Sequence, residues 1–170
     1  MTVVIIVIIV LLLFTFLMKF IGAKEPVGEY RKAKFMSEAE VRFYKAMAEA
    51  VGTKYRIFAK PRLNDIIYAV DADRSRWQSR ANKLRMKHVD FLLCDPATLV
   101  PICVIELDDS SHARQDREAR DGFVNSALKA AGVPIAHFPV RATYSTQELL
   151  LKVSEAVDSH QGRWPNHAGV

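Results

Sequence analysis

The chain opens on an apolar run over residues 2–18, built from Val, Ile, Leu and Phe, with no charged side chain before Lys19. Such a run predicts one helix at the short end of the roughly 17–25 residues that cross a bilayer. From residue 37 the pattern turns amphipathic. Ser37-Glu38-Ala39-Glu40 is a capping box, so a helix is predicted over 38–51, with Val41, Tyr44, Met47, Ala48 and Val51 buried and Gly52 as its stop. Residues 55–60, 87–94, 102–108 and 135–140 are short β-branched and apolar runs that predict strands, with an Asp95-Pro96 turn between the second and third. Residues 63–70 are apolar but too short to assign as strand or helix. Helical periodicity returns over 116–131, where Phe123, Val124, Ala127, Leu128 and Ala131 mark a buried face ended by Gly132. Ser145 is placed to cap a last helix over 146–157.

The expected order after the first helix is helix, strand, strand, strand, helix, strand, helix. A helix between the third and fourth strands implies a parallel crossover in an otherwise antiparallel sheet. The fold class is therefore α/β: a mixed sheet flanked by helices, preceded by one transmembrane helix. The expected division is an anchor over 1–22, a juxtamembrane linker over 23–36, a domain over 37–158 and a flexible tail over 159–170.

A cleaved signal peptide is the rival reading of the first segment, but no basic residue precedes the apolar run. Lys19, Lys24, Arg31, Lys32 and Lys34 all follow it, which orients the remaining chain towards the cytoplasm. From Glu25 onward lie all 19 acidic and 22 of the 24 basic residues, a net +3 that selects no partner by itself. Cys94 and Cys103 do not make a disulfide framework, strand alternation in the hairpin points them to opposite faces so that they should not bond to each other, and no close Cys/His spacing suggests structural zinc.

The chemistry concentrates in residues 87–112. If Cys94 faces Ile102 across the hairpin, Asp90 falls opposite Glu106, with their Cβ atoms about 5 Å apart. Asp108 lies one step further along the same face. Opposed carboxylates on an apolar sheet are costly without a cation between them. Hard oxygen donors suit Mg²⁺ or Mn²⁺. The other reading makes Asp90 the start of a turn network and Glu106 and Asp108 a solvent-facing strand end. Glu40 has a sufficient explanation in the capping box. Residues 74–87 carry Arg74, Arg76, Arg80, Lys83, Arg85 and Lys87 with no acid, and Trp77 among them. That stretch fits either a solvated surface or a phosphate-tracking one on which Trp77 stacks with a base.

This order of elements, with Asp90 on the second strand and Glu106-Leu107-Asp108 on the third, resembles the PD-(D/E)XK nuclease superfamily. More narrowly, SEAEVRFYKAM, KHVDFLLCDP, VIELDDSSH and RDGFVNSALKAAGVP resemble a bacterial domain family of unknown function assigned there. That family is often found with a membrane anchor or beside zinc-finger modules, and looks related to the branch of very-short-patch repair endonucleases. The resemblance covers roughly residues 37–150 and implies a restriction-endonuclease-like α-β-β-β-α-β core. It makes Asp90, Glu106 and the Leu107 carbonyl the ligands of Mg²⁺ or Mn²⁺, and Glu40 the acidic residue of the first helix. Asp108 stands where the superfamily has lysine. The resemblance therefore leaves three routes: a basic substitute (Lys87, Arg114 or Arg120), His112 as base, or an inactive site. The implied activity is hydrolysis of nucleic acid, DNA first, by a single-pass protein of the bacterial inner membrane with its domain in the cytoplasm. The alternative is an inactive module that binds nucleic acid or a partner protein there.

Overall fold

A computed structural model describes residues 1–21, 27–108 and 114–160, with side chains at 1–17, 27–108 and 122–160. The chain forms two compact units, Met1–Phe35 and Met36–Val170.

In the first unit, α1 runs over Thr2–Ile21, and Val3–Leu17 expose their apolar side chains. Among the described residues no helix is long and apolar enough to cross a membrane. The span expected over 1–22 thus goes beyond what the described helix shows. Residues 27–36 of the expected linker lie outside helices and strands.

The second unit is a three-layer α/β/α structure. Its elements are α2 (Glu38–Val51), β1 (Arg56–Ala59), α3 (Leu63–Ile66), α4 (Arg74–Arg85), β2 (Phe91–Cys94), β3 (Pro101–Asp108), α5 (Arg114–Ala131), β4 (Ile135–Pro139) and α6 (Thr146–Asp158). The sheet order is β1-β2-β3-β4. β1, β2 and β3 pair antiparallel, and β4 joins β3 in parallel after the α5 crossover. The expected mixed sheet is therefore present, because only a crossover helix returns the chain to a parallel neighbour.

Side chains alternate between two cores. Phe91, Leu93, Cys103, Ile105, Ala136 and Phe138 pack against Phe43, Met47 and Val51 of α2 and Leu149 and Val153 of α6. Leu92, Cys94 and Val104 pack on the other face, with Leu63, Leu84, Val124 and Leu128 from α3, α4 and α5. Cys94 and Cys103 accordingly lie on opposite faces, as expected, and both thiols are free. Phe43 centres the first core, with its ring 5.5 Å from Phe91, 5.2 Å from Phe138 and 5.1 Å from Tyr144.

Several local expectations are corrected. Phe43, not Tyr44, lies on the buried stripe of α2, and Tyr44 is exposed. The stripe Phe43, Met47, Val51 keeps the four-residue step that puts side chains on one helix face. Ala131 is exposed, since it sits at the last residue of α5. Ser145 occupies the N-cap of α6, but its side chain makes no capping bond. Two stretches left open by the sequence are settled: residues 63–70 contain the single helical turn α3, and 74–85 form the helix α4.

Candidate metal and nucleic-acid site

The strand expected over 87–94 begins only at Phe91, and the cause lies in its neighbour. After Ala59, Lys60 adopts φ 53° and Pro61 has no N–H to donate, so the β1 ladder cannot continue. The two segments stay together through irregular bonds instead. Lys60 N–H donates to the Asp90 carbonyl at 2.8 Å, and Val89 N–H to the Pro61 carbonyl at 3.1 Å. An isolated bridge joins Arg62 and His88. Asp90 thus sits where the regular sheet gives way.

The hairpin register is Phe91 with Ile105, Leu92 with Val104 and Leu93 with Cys103. Continued by one pair, it sets Asp90 opposite Glu106. The single departure is Cys94, which faces Pro101 rather than Ile102 because of an irregularity after Leu93. That extra residue turns Ile102 towards the α2 and α6 core, away from the face expected for it. Asp90 itself is half-buried, and its Oδ2 accepts the Leu107 N–H at 2.8 Å. This carboxylate replaces the backbone acceptor that β3 lost when β2 ended. A strand residue's C=O points to the same neighbour as its N–H, so the Leu107 carbonyl lies on the Asp90 side of β3. Glu106 is half-buried and Asp108 exposed.

A carboxylate just before β2, a second on β3 and the Leu107 carbonyl are hard oxygen donors of the kind that magnesium takes. That ion is commonly held by one or two carboxylates and keeps several waters. Among the described residues no group of three His, Cys, Asp or Glu side chains converges to hold a metal ion. Asp90, Glu106 and the Leu107 carbonyl are the donors that could hold such an ion, with water completing its shell.

Glu40 is explained twice over. Its Oε2 accepts the Ser37 N–H at 2.6 Å, while Ser37 Oγ accepts the Glu40 N–H at 3.2 Å, completing the capping box. Its Oε1 lies 3.1 Å from Lys60 Nζ. Burial opposes its charge, but the Ser37 N–H and the Lys60 ammonium outweigh it and hold the carboxyl below its ordinary range. Lys60 is thus a residue of the site region that sequence reasoning missed. Its only signal was a Lys-Pro pair closing a strand.

His137 was also missed. It is the register partner of Glu106 on β4, and its Nδ1 lies 3.2 Å from Asp108 Oδ1. The signal was a lone polar residue in the apolar run Ile135–Pro139. The Asp108 that stands in the lysine position therefore has a partner across the sheet. His112 lies outside the described residues, as do the side chains of Arg114 and Arg120.

The basic stretch is a helix whose inner positions, Ala81 and Leu84, are buried. Leu84 belongs to the core that contains Leu92 and Val104, so α4 packs on the sheet face to which Glu106, two residues beyond Val104, belongs by alternation. Its cations divide into two groups. Asp71, whose side chain is 8% exposed, pairs with Arg76 Nε at 3.3 Å and Arg80 Nη1 at 3.1 Å. Arg74, Lys83 and Arg85 are exposed, Lys87 is half-buried, and Trp77 is 38% exposed. Lys83 and Lys87 line a shallow surface with Met86 and Phe123 between α4 and α5.

Residues 32–157 match the family described as protein of unknown function (DUF2726), and the chain belongs to that family. Comparisons with curated proteins and with solved structures find no match.

Proposed function

We propose that the domain is a metal-dependent phosphodiesterase acting on nucleic acid, tethered by α1 to the cytoplasmic face of the bacterial inner membrane. The observation that carries this reading is the Asp90 carboxylate, which crosses to the Leu107 N–H at 2.8 Å and so stands beside Glu106 in register. In this reading the α-β-β-β-α-β order is a PD-(D/E)XK core. Asp90, Glu106 and the Leu107 carbonyl would hold Mg²⁺ or Mn²⁺. Such an ion supplies Lewis-acid polarisation of a phosphate and lowers the pKa of a bound water. The Leu107 N–H fixes the Asp90 carboxylate in place. Exposed Arg74, Lys83 and Arg85, with Lys87, track phosphates, and Trp77 offers a stacking surface. The apolar helix α1 and the cations after it support the tether and its orientation.

A second reading is favoured by Asp108. It stands in place of the superfamily's lysine and is engaged by His137, which suits a module that binds nucleic acid or a protein without cutting. Cleavage decides between them. Full-length protein in detergent would be incubated with labelled single- and double-stranded DNA and RNA, with Mg²⁺, Mn²⁺ or chelator. The phosphodiesterase reading predicts cleavage that needs metal and falls at least 100-fold in Glu106→Gln, a loss of about 2.7 kcal/mol of transition-state stabilisation or more. Equal rates in both proteins, or no cleavage, would favour the second.

A further inference from the structure

A cleft of about 480 Å³ opens where α5, β4 and the end of α6 meet, within the usual range for small-ligand sites. It begins beside the carboxylate row. His137, one of its lining residues, is paired with Glu106 in the parallel β3–β4 register, one strand spacing of about 4.8 Å away. Val133 and Ile135 supply an apolar floor, and Asn125, Lys129, Ser159 and His160 complete the polar wall.

The two imidazoles are set alike by their partners. His137 Nδ1 faces Asp108 Oδ1 at 3.2 Å, and His160 Nδ1 faces the Ala156 carbonyl at 3.0 Å. A carboxylate oxygen and a carbonyl accept, so both contacts select the tautomer with its proton on Nδ1 and Nε2 as the acceptor. Ser159 Oγ, which donates to the Ala156 carbonyl at 2.8 Å, also lies 3.0 Å from His160 Nδ1 and reinforces that choice. Lys129 is exposed and, among the described residues, has no ion-pair partner. Among the described residues, no acidic side chain lines the cleft.

This set asks for a ligand with three properties: an anionic group for Lys129, N–H or O–H donors for two imidazole acceptors, and a flat apolar portion for Val133 and Ile135. A bare phosphate lacks the third. We propose that the cleft binds one nucleotide unit of the strand on which Asp90 and Glu106 act, with phosphate on Lys129 and base or sugar against the imidazoles and the floor. The identity of that strand rests on the phosphodiesterase reading; the site's ligand class does not.

The test is calorimetry on the full chain in detergent, with chelator present so that hydrolysis plays no part. Adenosine 5′-monophosphate, adenosine and inorganic phosphate are titrated separately. The nucleotide is expected to bind saturably and about tenfold tighter than the nucleoside, with no saturable binding of phosphate alone. Lys129→Ala and His160→Ala should each weaken nucleotide binding about tenfold, the scale of one hydrogen bond. Lys129 is exposed, and thermal melting checks that both variants stay folded. Absence of nucleotide binding, phosphate binding as tight as the nucleotide's, or unchanged affinity in both variants would overturn the proposal. Nucleotide binding without strand cleavage would leave the cleft standing and remove the phosphodiesterase reading. Cleavage without nucleotide binding would remove the cleft alone.

Discussion

At the scale of single residues, Phe43, Glu40 and Cys103 show how burial and partnership set behaviour. Phe43 is fully buried between Phe91, Phe138 and Tyr144. Phe43→Ala should therefore cost about 3–5 kcal/mol of stability, measured by denaturant unfolding. Glu40 is held below its ordinary pKa in the folded state, so the stability it contributes is present above its unfolded value, near 4.5, and is lost as pH falls through the folded value. Unfolding curves of wild type and Glu40→Gln should differ at pH 7 and converge as pH drops below about 4.5. Burial pushes the Cys103 thiol up to about 12 and raises that of Cys94. Neither should react quickly with a thiol reagent at neutral pH unless the domain unfolds. The capping box and the opposite-facing cysteines were legible in the sequence because both follow from short fixed spacings. Phe43 against Tyr44 was not, since adjacent aromatic residues fit a helical stripe equally well until the partner surface is known.

At the scale of elements, β2 and α4 carry the functional argument. Position 90 was legible because the period-two alternation of both strands and one turn set the register. The early end of the β1–β2 ladder was not legible, because it depends on Lys60 and Pro61 from a segment about thirty residues away. That break is what turns Asp90 from a strand residue into a side-chain acceptor for Leu107. The charge of α4 was readable as composition, but the division of its cations was not, since Asp71 lies just outside the basic run. The division has a measurable consequence. Lys83→Ala with Arg85→Ala should reduce the salt dependence of nucleic-acid binding, by a slope of about 0.9 for each duplex-DNA phosphate that is no longer neutralised. Arg76→Ala with Arg80→Ala should leave that slope nearly unchanged and instead lower the melting temperature, because a largely buried Asp71 loses both partners. A full effect on the slope from the second pair would show that Asp71 releases them on binding.

At the scale of the whole molecule, the chain divides into Met1–Phe35 and Met36–Val170, and both hydrophobic cores fall within the second unit. The domain from Met36 should therefore fold without the first helix and stay in the soluble fraction, while the full chain sediments with membranes. The central claim concerns the two carboxylates, and divalent-ion binding addresses it most directly. Mn²⁺ would be titrated into the full chain by calorimetry, beside Asp90→Asn and Glu106→Gln variants whose melting curves confirm their fold. One Mn²⁺ per wild-type chain, weakened at least tenfold in both variants, is the predicted result. Equal binding in all three proteins, or none in the wild type, would contradict the claim and leave Asp90 as a strand-end acceptor for Leu107.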